Sequence, residues 1–246
     1  MATKKITVGY AHNSHPRFGR KYDDANPPIL TIQSPYYWWF KFLQLNEDYK
    51  ATCLADGVGE YSEIYADLGN VHGIDFKSWW DEKRVFFAEQ PKKYKMVIAQ
   101  SPEELAPFNS EDALNVVVPL DWSQRSLRKK FNSLVLSKVE PSKRGLNLDK
   151  STAKYKLSGR WHIEAMEHAY HVYVLKHTEQ EDTKKLAWAD IAIRAKLKVA
   201  KDMDEGKITN KTADERRVAT IVVMRDYKRA LDFIQYAASL SFPYKK

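Results

Sequence analysis

Between Tyr36 and Leu45 only Lys41 and Gln44 are neither aromatic nor aliphatic, so the chain has to bury six rings within ten residues. Ser34 and Pro35 precede the run as a cap residue and a proline suited to a first helical turn, which predicts a helix. Trp38, Trp39 and Phe42 fall at i, i+1 and i+4, the spacing of one helical face directed at a core. Bases stacking on the same rings would be the alternative. The run lies in the acidic half of the chain, which favours the core reading.

Charge divides the molecule unevenly. Residues 1–120 carry 13 Lys and Arg against 16 Asp and Glu, whereas residues 121–246 carry 27 against 16, so the formal net charge of +8 comes from the second half. Within it, residues 123–160 hold eleven basic side chains against only Glu140 and Asp149. A block of this kind repels itself unless a polyanion neutralises it, and nucleic acid is the commonest one. A solvated basic linker is the competing explanation. No apolar run approaches the roughly 18 residues of a membrane span. Residues 1–10 hold two lysines and no signal-like apolar stretch, and Cys53 is the single cysteine, so a cytoplasmic protein without disulfides and without membrane association is expected.

The remaining pattern predicts an α+β, mainly helical chain in two domains. A mixed α+β domain is placed at 1–144 and an all-α, helix-turn-helix-like domain at 145–246, with the turn-rich stretch 141–148 as the boundary. In the first domain, Asp56 to Gly59 and Gly69-Asn70 read as turns and Phe76 to Lys83 as a helix. Val85 to Ala88, Met96 to Ala99 and above all Leu114 to Leu120, with Val116, Val117 and Val118 adjacent, read as strands. Asp121 or Ser123 caps a helix running to Leu136, with Leu127, Phe131, Leu134 and Val135 inward and Arg125, Arg128, Lys129 and Lys130 outward. Three helices follow, near 159–176, 186–197 and 212–240. On the last, Ala219, Val223, Tyr227, Ala230, Ile234 and Ala237 fall within about 80° of one another, a core stripe. Arg217, Arg225, Lys228 and Arg229 gather on the other side, and the arginine fork suits phosphates and guanine edges.

Catalytic patterns are incomplete. Glu164, His168 and His171 share a helical face, but neither His-Glu-x-x-His nor a repeated Glu-x-x-His is present, so histidines hydrogen-bonded at a helix interface are expected in place of a metal site. Glu60, Glu63, Asp67 and Asp75 cluster around glycine turns where a magnesium nuclease would set carboxylates on strands. Gly57 and Gly59 lack the Gly-Lys-Ser/Thr of a phosphate loop. Cys53 has no basic neighbour to activate it.

Ser34 to Tyr49, Tyr65 to Val71 and Phe76 to Trp80 are similar to a loosely defined, largely uncharacterised group of proteins on bacterial genomic islands, plasmids and prophages. Arg225 to Ala230, with Ile234 and Phe242-Pro243, resembles the same group's ending. The resemblance implies a mobile-element setting and no particular activity. The three-helix order, with Trp188 to Ala192 on the short middle helix, also looks like a helix-turn-helix. Its connection, 198–211, is far longer than the usual three or four residues.

These features together predict a regulatory or architectural protein that binds duplex DNA, with no cofactor and no catalytic residue. Arg125, Arg128, Lys129, Lys130, Lys143 and Arg144 are expected on phosphates, and Arg217, Arg225, Lys228 and Arg229 at the groove. The N-terminal domain is assigned oligomer or protein-partner contacts. Two alternatives stay open: a nuclease or phage-defence or counter-defence effector, and a non-catalytic subunit binding RNA or an acidic protein.

Overall fold

The computed structural model describes residues 15–89, 96–111, 113–138, 151–158, 161–178, 186–203 and 210–244. By contacts the chain divides into residues 1–89 with 148–246 as one compact unit and residues 90–147 as a second. This division differs from the expected one at 144/145. The aromatic N-terminal segment shares its core with the C-terminal helices, because its rings need more apolar surface than the neighbouring sequence offers.

The larger unit is helical, with one minimal sheet. Its helices are α1 (Ile29–Ile32), α2 (Pro35–Gln44), α3 (Glu47–Leu54), α4 (Ser62–Leu68) and α5 (Phe76–Lys83), followed after the excursion of the second unit by α7 (Ile163–Thr178), α8 (Trp188–Arg194) and α9 (Asn210–Ala237). Strand β1 (Lys156–Leu157) pairs in parallel with β2 (Ser241–Phe242), Lys156 opposite Ser241 and Leu157 opposite Phe242. Among the described residues no helix is long and apolar enough to cross a membrane.

The aromatic run forms α2 as expected. Ser34 accepts a bond from the Tyr36 amide at 3.3 Å and Pro35 opens the first turn. Trp39, Phe40, Phe42 and Leu43 are fully buried. A buried indole needs an acceptor for its N–H, and Trp39 Nε1 finds one in the Ala237 carbonyl at 2.7 Å, 198 residues away. Its ring stacks on Phe242 with centroids 5.2 Å apart. Asn46 repeats the device: its side-chain oxygen caps α3 by accepting from the Tyr49 amide, while its nitrogen donates to the Ile234 carbonyl at 3.0 Å. The first helix of the aromatic core is thereby tied to the last helix of the chain.

Helix α9 spans 28 residues, about 42 Å at 1.5 Å per residue, and serves two cores. Ala230, Phe233, Ile234 and Ala237 join the aromatic core. Ala219 and Val223 join a second, smaller core with Val172 of α7 and Ala189, Ile191 and Ala192 of α8. The predicted stripe is therefore inward, with Tyr227 partly buried. Two of the four clustered carboxylates have structural partners: Asp67 accepts from the Tyr155 hydroxyl at 2.8 Å and pairs with Lys154, and Asp75 caps α5 through the Ser78 amide at 3.0 Å, while Glu60 and Glu63 are exposed.

Two corrections concern strands. Val85 to Ala88 lies largely in a 3-10 turn, Arg84–Phe87, that buries Phe87. In the second unit, Met96 to Ala99 and Leu114 to Leu120 form no strand, and Val117 and Leu120 are each 94% exposed. A strand needs a neighbour for its amides, and the described part of this unit offers only a 3-10 turn at Pro102–Glu104, helix α6 (Gln124–Leu134) and a further turn at Leu136–Lys138. None of its described residues is buried. Helix α6 is capped as predicted, Ser123 accepting from the Ser126 amide at 3.2 Å, but Phe131 and Leu134, expected inward, are exposed.

Candidate nucleic-acid interface

The basic residues fall into two sets, one on each unit. In the second unit Arg125, Arg128, Lys129 and Lys130 are all exposed on α6, and none has a carboxylate partner among the described residues. Lys143 and Arg144 lie outside the described residues. A capped helix of eleven residues thus presents four exposed cations.

The set on α9 is built differently. Arg217, Arg225 and Lys228 are exposed, but Val218, Ile221, Met224 and Leu231 are exposed too, each by 45% or more, so the face is mixed. Arg229 is held: its Nη1 donates to Asp226 Oδ1 at 2.7 Å, and Asp226 has a side chain only 3% exposed. Arg225 Nε stands 3.7 Å from the same oxygen, with 63% of its side chain exposed. A guanidinium committed to a buried carboxylate is not a free groove reader. Arg217 and Lys228 keep their place in the expectation, Arg225 stands at an edge, and Arg229 has a second employment.

Asp226 also organises a recess of about 480 Å³ between the start of α7, the turn Lys198–Ala200 and the middle of α9. His162, Glu164, His168, Lys198, Arg225 and Arg229 line it beside Asp226, over an apolar floor that includes Ile163, Leu197 and Val222. Glu164 and Lys198 pair at 2.6 Å. That bond holds the Glu164 carboxyl below its ordinary range and the Lys198 ammonium above its own. His171, grouped with Glu164 and His168 in the sequence, is not part of the lining. Among the described residues no group of three His, Cys, Asp or Glu side chains is placed to hold a metal. His177 meets the expectation of a histidine at a helix interface. It stacks on Tyr173 with centroids 4.1 Å apart, and its Nε2 lies 3.1 Å from the Tyr227 hydroxyl.

Lys198 and Asp226 were not singled out by sequence reasoning, whereas His162 was weighed with the other histidines. Lys198 gave no signal there, because it meets α9 only through the fold. Asp226 did give one: on the wheel of α9 it falls beside the apolar stripe, where an acid must have a partner.

No family model matches the chain, and neither a curated protein nor a solved structure matches it.

Proposed function

We propose that this protein binds duplex DNA without chemistry, as a regulatory or architectural component of a mobile genetic element. The observation that carries the reading is the exposed basic face of α6, where Arg125, Arg128, Lys129 and Lys130 project from one short helix with no carboxylate partner among the described residues. A partner with closely spaced negative charge answers such a face, and duplex DNA places one charge every 1.7 Å or so along its axis. Arg217 and Lys228 are exposed cations of the other unit, on α9. The mobile-element setting rests on the stretches named above and the helix-turn-helix reading on α8 packed against α9. The buried Ile191 and Ala192 support that packing.

The test is fluorescence anisotropy with a labelled duplex at two salt concentrations. Four phosphate contacts from α6 give a slope of log K against log salt near −3.6, about a hundredfold loss of affinity between 50 and 200 mM salt. Lys129→Ala lowers the magnitude of that slope by about one and weakens all sequences alike. Absence of duplex binding at low salt refutes the proposal. Binding to single-stranded RNA in preference to duplex DNA moves the chain to another class.

A further inference from the structure

The recess lined by Arg225 has the chemistry of a ligand site, and it shares no residue with the basic face of α6. Its cations are not equivalent. Lys198 is satisfied by Glu164 at 2.6 Å and Arg229 by Asp226 at 2.7 Å, so each carboxylate of the lining already has a partner. Arg225 is the surplus. Only its Nε faces Asp226, at 3.7 Å, and the guanidinium is largely exposed at the recess. Asp226 is buried and approached by both arginines, so it acts as a positioning residue that holds Arg229 and keeps Arg225 at the same recess. Imidazoles of His162 and His168 add hydrogen-bonding groups to the lining.

Below these polar groups the lining is aliphatic, from Ile163, Leu197, Val199 and Val222. A ligand that satisfies both halves has an anionic end for the arginines and a flat, weakly polar body for the floor. Guanidinium forks match phosphate oxygens in pairs, and the volume of about 480 Å³ lies within the range of small-molecule sites. We infer that this recess binds a phosphomonoester of mononucleotide size, with Arg225 on the phosphate, Arg229 held beside it by Asp226, and the nucleoside over the aliphatic floor. The phosphate can belong to a free nucleotide or to the 5′ end of a strand, and the chemistry of recognition is the same.

Isothermal titration of the full chain with adenosine monophosphate, adenosine and inorganic phosphate tests the inference. The monophosphate binds more tightly than either fragment, by about tenfold or more. Arg225→Ala weakens it by a similar factor, and Arg225→Lys, which keeps the charge but not the fork, recovers only part of the loss. Because Arg225 is exposed, its variants keep the thermal midpoint of the parent. A short strand with and without a 5′ phosphate separates the two sources. Binding of the phosphorylated strand alone assigns the site to strand ends, and binding of the nucleotide as well assigns it to free nucleotides. The inference is overturned if neither phosphorylated probe binds, if adenosine binds as well as its monophosphate, or if Arg225→Ala changes nothing. Lys129→Ala, which tests the DNA reading, leaves the nucleotide titration unaltered, so either proposal can fail without the other.

Discussion

The rings of α2 and the valines at 116–118 are equally apolar in sequence, yet the structure treats them in opposite ways. Trp39, Phe40 and Phe42 have no accessible surface, whereas Val116, Val117 and Val118 are 45%, 94% and 50% exposed. Local pattern is the same kind of signal in both places. The difference lies in what converges on each segment. Helix α2 meets α7 and α9, and it receives long-range acceptors from the Ala237 and Ile234 carbonyls for Trp39 and the adjoining Asn46. Around the valines the described contacts are sparse: the Asn115 side chain bonds the Ala106 amide at 3.1 Å and its carbonyl at 2.6 Å, standing in for a strand partner over a single residue. Apolar residues specify burial only where other elements arrive to cover them.

The sharpest way to break this comparison is Trp39→Ala. The substitution removes a fully buried ring, its stacking on Phe242 and the hydrogen bond of its indole N–H, and leaves the Ala237 carbonyl without that donor. A loss of about 3 to 5 kcal/mol is expected in urea denaturation. A loss below about 1 kcal/mol would mean that the aromatic core is far looser than its burial implies.

A smaller effect is expected where the second unit leaves and rejoins the first. Glu89 accepts bonds from the Ser151 hydroxyl at 2.7 Å and from the Thr152 amide and hydroxyl at 2.8 and 2.9 Å, closing the excursion at its base. Burial alone would push the Glu89 carboxyl up, but these bonds outweigh it and hold the group below its ordinary value. A carboxyl whose folded value is depressed adds stability above its unfolded pKa, near 4.3, and that contribution disappears as the pH falls through the folded value. Glu89→Gln should therefore cost about 1 to 2 kcal/mol at neutral pH, and the gap to the parent should close on acidification below about pH 4. Thermal unfolding at a series of pH values reads this directly; a gap that widened in acid would refute the assignment.

Helices were the legible part of this chain. Ser34-Pro35 and Ser123 each mark a helix start that forms where the cap residue stands, because a cap acts within one turn and needs no distant partner. The apolar stripe of α9 was legible for the same reason. Strands were not, since Val116 to Val118 can form one only beside a second chain segment whose position no local pattern fixes. The basic residues on α6 were legible as a surface set. The recess was only half so: Arg225 and Arg229 stand out along the sequence, while Lys198 joins them in the lining through the packing of the Lys198–Ala200 turn on α9.

The smallest expected effect completes the comparison with α2. Val117→Ser replaces a side chain that is 94% exposed, in a unit with no buried residue among those described. Removing apolar surface that already faces water forfeits little transfer free energy, and a surface substitution of this kind stays within about 0.5 kcal/mol. Urea denaturation of Val117→Ser should therefore superimpose on the parent, with the slope against denaturant also unchanged because no area is newly exposed on unfolding. The same substitution in a buried valine, such as Val223 on α9, would bury a hydroxyl and empty part of a core, and should cost about 1 to 3 kcal/mol. If Val117→Ser instead destabilised the protein as much as Val223→Ser, the valine run would be covered in solution. The contrast between the two units would then have to be redrawn around whatever element covers it.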